Sequence, residues 1–187
     1  MSLRAKLATT IAALCMVICL LTVGVWAAST AKVNVSGTVS FTATDINATI
    51  TGSTTGAKEN KTNVPIATYT GSETDGVESP WAVGDLVFEN KASVIKVTIT
   101  VTNTNVERDI TAAFSAKLGD QALTAVEGDE ETVENSNVIA WISQTATSVA
   151  KNNQSATFEI SFKIADTNLS VDPKVNFTAV LDLSNAG

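Results

Sequence analysis

Two-residue alternation of apolar and polar side chains runs through most of the chain beyond residue 32. Val33, Val35, Gly37, Val39 and Phe41 share one face, and Lys32, Asn34, Ser36, Thr38 and Ser40 share the other. This period marks a half-buried strand, with Gly37 as a bend or bulge within it. Ile46, Ala48 and Ile50 predict a second strand ending at Gly52. The Gly-, Thr-, Lys- and Asn-rich stretch from Ser53 to Asn63 then reads as an exposed loop. A short strand around Ile66 to Tyr69 follows, and after it a loop from Gly71 to Pro80.

The middle of the chain gives the clearest pattern. Leu86-Val87-Phe88 leads into Ile95, Val97, Ile99 and Val101, and Ile110, Ala112, Phe114, Ala116 and Leu118 alternate again beyond Asn103-Thr104-Asn105. Two alternating runs across an Asn-rich turn predict an antiparallel hairpin or a close neighbour pair. Short strands are expected at Ala122 to Val126 and Val138 to Ile142. Longer ones are expected over Ala156 to Ile164 and Val175 to Leu183, the first of these after a turn at Lys151 to Gln154. No window beyond the leader has a helical period. Eight to ten short strands without a parallel-sheet helix pattern predict an all-β chain, an antiparallel jelly-roll-like β-sandwich. An Ig-like Greek key satisfies the same pattern.

The first residues are built differently. Arg4 and Lys6 precede an uncharged stretch from Leu7 to Ala28, closed by the small-residue site Val25-Trp26-Ala27. This is the layout of a secretory signal peptide over residues 1–27, cleaved between Ala27 and Ala28. A retained membrane helix is the competing reading. Both cysteines, Cys15 and Cys19, follow a bulky residue where a lipobox requires a small one, and both leave with the leader. Cleavage leaves 160 residues without a thiol and moves the net charge from −7 to −9. The expected location is secreted, extracellular or at the cell surface, with membrane contact only through the leader.

Composition narrows the chemistry. The chain has 12 basic and 19 acidic residues and no histidine. The acidic excess argues against nucleic acid as a partner. The missing histidine removes the Ser-His-Asp and Cys-His triads and every His-ligated metal. Twenty-seven threonines and three prolines suit strands. The acidic run Glu127, Asp129, Glu130, Glu131 and Glu134 reads as a solvated loop rather than a calcium site. Asp166 to Asp172 spaces its oxygen-bearing residues like a calcium loop, but it fails at the sixth and twelfth positions, Val171 and Phe177. Trp81 and Trp141 are expected in the core, and aromatics are too scarce, at 5%, for a sugar-binding platform. Six Asn-x-Ser/Thr sequons (Asn34, Asn47, Asn60, Asn153, Asn168, Asn176) matter only where the producing cell glycosylates them. No catalytic residue, cofactor or metal ligand is expected.

The N-terminal alternation of the processed chain raises a physical question. Ala31, Val33 and Val35 form an apolar face that must be covered, by the chain's own sheet or by an open sheet edge on a neighbour. The second arrangement does not close and generates a filament. The residues alone leave both arrangements of this segment open.

The segment Gly24-Val25-Trp26-Ala27-Ala28 resembles the Gly-x-Trp-Ala-Ala junction of the TasA/camelysin-like family, exported fibre proteins processed by a SipW-type signal peptidase. Gly84-Asp85-Leu-Val-Phe88-Glu-Asn90 and the Asn-ended strand Ile95 to Asn103 are similar to that family's central Gly-Asp turn and the strands after it. The resemblance implies a jelly-roll subunit of extracellular fibres or biofilm matrix. It also implies a head-to-tail homopolymer in which the N-terminal segment, residues 28–36 with Ala31, Val33 and Val35 inserted, is the candidate donor strand that completes the next subunit's sheet, with residues 37–187 as the sandwich domain and other matrix components as further partners. The chain is shorter than TasA and lacks its Lys-rich insertions and tail. Camelysin-like relatives have been classed as metallopeptidases, an activity not expected without histidine. A monomeric cell-surface adhesin or binding module is the alternative.

Overall fold

The computed structural model describes residues 33–43, 46–70, 78–90, 92–125, 133–135, 137–165 and 174–186. All of them belong to one compact unit, 33–167 with 173–187. The leader, Ala31, the acidic stretch 127–132 and the candidate calcium loop 166–172 lie outside the described residues. So do two of the expected strand and loop ends, Val126 and 71–77.

The described chain forms β1 (Asn34–Ala43), β2 (Asn47–Thr55), β3 (Val64–Thr70), β4 (Glu78–Ala82), β5 (Leu86–Val87), β6 (Val94–Asn103) and β7 (Ile110–Leu118). It continues with β8 (Gln121–Ala122), β9 (Val133–Asn135), β10 (Val138–Ile142), β11 (Ala146–Val149), β12 (Gln154–Ile164) and β13 (Lys174–Asn185). The first sheet has the order β11-β7-β13-β1-β4, with β5 on β1 and β8 on β7; the second has the order β3-β2-β6-β12-β10-β9. This is the expected all-β sandwich, although thirteen strands replace the expected eight to ten because β4, β9 and β11 fall in or beside stretches read as loops.

The reason for two layers is visible in the burial pattern. On β6, Ile95, Val97, Ile99 and Val101 are buried while Lys96, Thr98, Thr100 and Thr102 are not, and β7, β12 and β13 alternate the same way. Each sheet hides one face against the other. Aromatic pairs tie the layers: Phe114 of β7 meets Phe158 of β12, and Phe177 of β13 meets Phe162 of β12, both at 5.2 Å between ring centroids in tilted packing.

Three expectations are corrected. The runs now assigned to β6 and β7 do not form a hairpin; they lie in opposite sheets. Asn103, fully buried, carries the chain across. Its Nδ2 donates to the carbonyls of Arg108 (3.0 Å) and Val149 (2.9 Å), and its Oδ1 accepts from the Asn105 amide (3.0 Å). The turn expected at Lys151 to Gln154 docks on the same corner. Asn152 and Asn153, both at positive φ, donate their amides to Asn105 O and Asn103 O. Second, Gly52 does not end β2: the strand runs on to Thr55, and the Trp81 ring lies over Gly52, 2.6 Å from where a Cβ would stand. Third, the sheets are not wholly antiparallel. Among the described strands, β1 and β13 pair in parallel, over ten residues from Asn34↔Lys174 to Ala43↔Leu183. A parallel pair needs a long crossover, and here the whole intervening domain supplies it.

Candidate strand-exchange site

The feature with functional content is the slot in the first sheet that β1 fills. Alternation makes β1 a strand, and it lays Val35, Val39, Phe41 and Ala43 into the core, with Val33 buried just ahead of them. One wall of the slot is β13. The other is β5 and β4 in succession: Asn34 and Val35 face Val87 and Leu86, then Thr38 and Val39 face Ala82 and Trp81, with a register shift between Val39 and Phe41. Backbone bonds extend this wall. Val83 N donates to Gly37 O (3.0 Å) and Phe88 N donates to Val33 O (3.4 Å). On the outer face Ser36 Oγ donates to Asn176 Oδ1 (2.8 Å) and Thr42 Oγ1 donates to Asp182 Oδ1, both partners being on β13.

No charged residue occurs in β1, so the strand enters its slot without desolvating an ion. β13 pairs with β1 along all ten residues and β5 and β4 pair with five of them, and the apolar side chains of β1 are buried, as are Phe162 and Phe177. Without β1, the β13 ladder would be unpaired and the face bearing Val175, Phe177, Ala179 and Leu181 would meet water, a pairing template for another chain. β1 is the first described strand, and residues 44–46 join it to β2.

Of the sequence-based donor segment, residues 33–36 are described. Val33 and Val35 are in place as an inward face, but that face belongs to this chain's own core. Ala31 lies outside the described residues. The boundary drawn between 36 and 37 falls inside β1, because alternation continues unbroken through Val39, Phe41 and Ala43. The donor segment therefore stops short of Val39, Phe41 and Ala43, and the sequence alone does not reveal the wall, since β13 is some 140 residues away in the chain. Gly37 is neither bend nor bulge; it pairs with Phe177 in regular parallel register.

The other candidates separate cleanly. Trp81 is a core residue, as expected. Trp141 is not: it is half-buried on the outer face of β10, opposite Ser161. Among the described residues no cluster of three metal-ligating side chains occurs. Comparison with protein-family models finds no match for the chain, and comparison with curated proteins finds none either.

Proposed function

We propose that this chain is a secreted, non-enzymatic structural subunit of extracellular fibres or biofilm matrix, polymerising by exchange of its N-terminal strand between copies. The exchanged element is the whole of β1, not residues 28–36 alone. The observation that carries this reading is the parallel seam between β1 and β13. A terminal strand seated between two walls, linked to the rest by three residues, can be replaced by the same strand from another copy in the same register. Parallel entry gives the contact a direction: the donor's body stands beyond the Ala43 end of the acceptor's slot. Each copy donates to one neighbour and accepts from another, which yields an open chain of subunits. The leader's resemblance to exported fibre proteins and the absence of histidine support the same reading.

A second reading has its own support. β1 pairs with β13 along its whole length within its own molecule, which suits a monomeric cell-surface adhesin or binding module. A disulfide staple separates the two. Ser40 and Val180 are register partners on the outer face, and the chain has no cysteine after Cys19. Oxidising the S40C/V180C variant as dilute monomer locks β1 at home. Under the exchange reading, stapled protein forms no fibres by negative-stain electron microscopy until reductant is added. Fibres from the stapled form, or none from the reduced form at any concentration, support the monomer or another mode of assembly.

A further inference from the structure

The slot is selective about what it accepts. Gly37 pairs with Phe177, and a Cβ built on Gly37 would stand 2.3 Å from the Phe177 carbonyl oxygen and 2.4 and 2.6 Å from ring atoms Cδ1 and Cε1. Real Cβ atoms do not approach so closely. The ring cannot retreat into the interior, because Phe162 of the opposite sheet, itself fully buried, packs against it at 5.2 Å. Gly37 is thus the point where the β1 backbone lies directly on an aromatic ring held from behind.

We propose that Gly37 is the specificity-determining residue of the β1 slot, fixing its register and selecting β1 over the chain's other alternating strands; this deepens the exchange reading and rests on it. The argument is steric. A slip by one residue turns the apolar face of β1 outward. A slip by two keeps the face but sets Val35 or Val39 on Phe177, where even a methyl group does not fit. The same test rejects competitors. The inward positions of β6 are Ile95, Val97, Ile99 and Val101, and those of β12 include Phe158, Ile160 and Phe162, none of them glycine. Among the long described strands only β2 has an inward glycine, Gly52, and that one already lies under Trp81. During export many chains present such strands together, and one missing Cβ distinguishes the correct one.

The test uses the full chain with Cys15 and Cys19 replaced by serine and the S40C/V180C pair added, so that its disulfide forms only when positions 40 and 180 are in register. Four backgrounds are compared: Gly37 with Phe177, G37A, F177A and G37A/F177A. G37A is expected to slow disulfide formation by about tenfold or more, the scale of a core overpacking penalty. F177A removes the ring but leaves the Phe177 carbonyl oxygen, 2.3 Å from the added Cβ, so G37A should slow crosslinking in both backgrounds, and by less once the ring is gone. Local strand preference gives the opposite sign, because Gly→Ala within a strand otherwise stabilises. Equal rates for Gly37 and G37A, in the Phe177 or in the F177A background, would overturn the proposal. If G37A alone does not fold, the comparison of F177A with G37A/F177A still decides. Register is read from the disulfide yield. Whether the disulfide lies within or between chains reports separately on exchange, so either idea can fail alone.

Discussion

Two ladders of ten pairs organise this sandwich, and they have opposite freedoms. In the second sheet β6 and β12 pair antiparallel from Val94↔Lys163 to Asn103↔Gln154. In the first, β1 and β13 pair parallel over the same length. Both seams bury alternating apolar residues, and both are trimmed outside by polar contacts: Thr102 with Ser155 (2.7 Å) and Lys96 with Glu159 (3.1 Å) on one, Ser36 with Asn176 on the other. The difference is connectivity. β6 and β12 are each tethered at both ends to further strands, and the Asn103 corner ties one end of both. β1 joins the other described strands only through its Ala43 end. Under the proposed exchange, equal burial gives the central seam permanence and gives the terminal seam a strand that passes between copies.

The comparison breaks most sharply at its aromatic anchors. Phe158→Ala in the central seam and Phe41→Ala in the terminal seam should each cost about 3–5 kcal/mol in urea unfolding, since both are fully buried rings. Assembly separates them: at a temperature where both stay folded, only Phe41→Ala should abolish fibres. Loss of fibres in both would mean that general stability, not the slot, governs assembly. Asn103→Ala comes next. It leaves the Arg108 and Val149 carbonyls and the Asn105 amide without their partner, and should cost about 2–3 kcal/mol in the same assay.

Gly52→Ala is a control for the terminal seam. A Cβ there meets Trp81 at 2.6 Å and Ile66 Cδ1 at 2.8 Å, so overpacking should cost about 1–3 kcal/mol by thermal or urea unfolding without changing the S40C/V180C register. Lys96→Ala should have the smallest effect. Its ion pair with Glu159 is between half-exposed groups, 45% and 33%, and such pairs contribute about 0–1 kcal/mol, less at high salt.

Most of the fold was legible from alternation because the pattern states which side chains are buried. Ile95 to Val101, Phe158 to Ile164 and Val175 to Leu183 needed nothing else. β11 was missed because Ala146 to Val149 buries only Val149, and β4 because Pro80 and its polar neighbours read as loop. Partner choice was illegible for a deeper reason: a period of two names a face but not a neighbour. This is why β6 and β7 were joined across Asn103 when that residue separates them, and why the parallel seam of β1 with β13 went unseen. The candidate site was half legible. Val33 and Val35 were found on the right face, but Phe177, the residue that gives Gly37 its meaning, comes from the other end of the chain.

The central claim is that β1 passes between copies, and a mixing experiment addresses it without any assumption about fibre shape. One chain carries only S40C and the other only V180C; they are combined, assembled and oxidised. The account predicts a strong disulfide-linked band joining the two different chains on a non-reducing gel, growing with concentration. If the mixture gives no cross-chain product while the doubly substituted chain crosslinks within itself, β1 stays in its own sandwich and the account is contradicted.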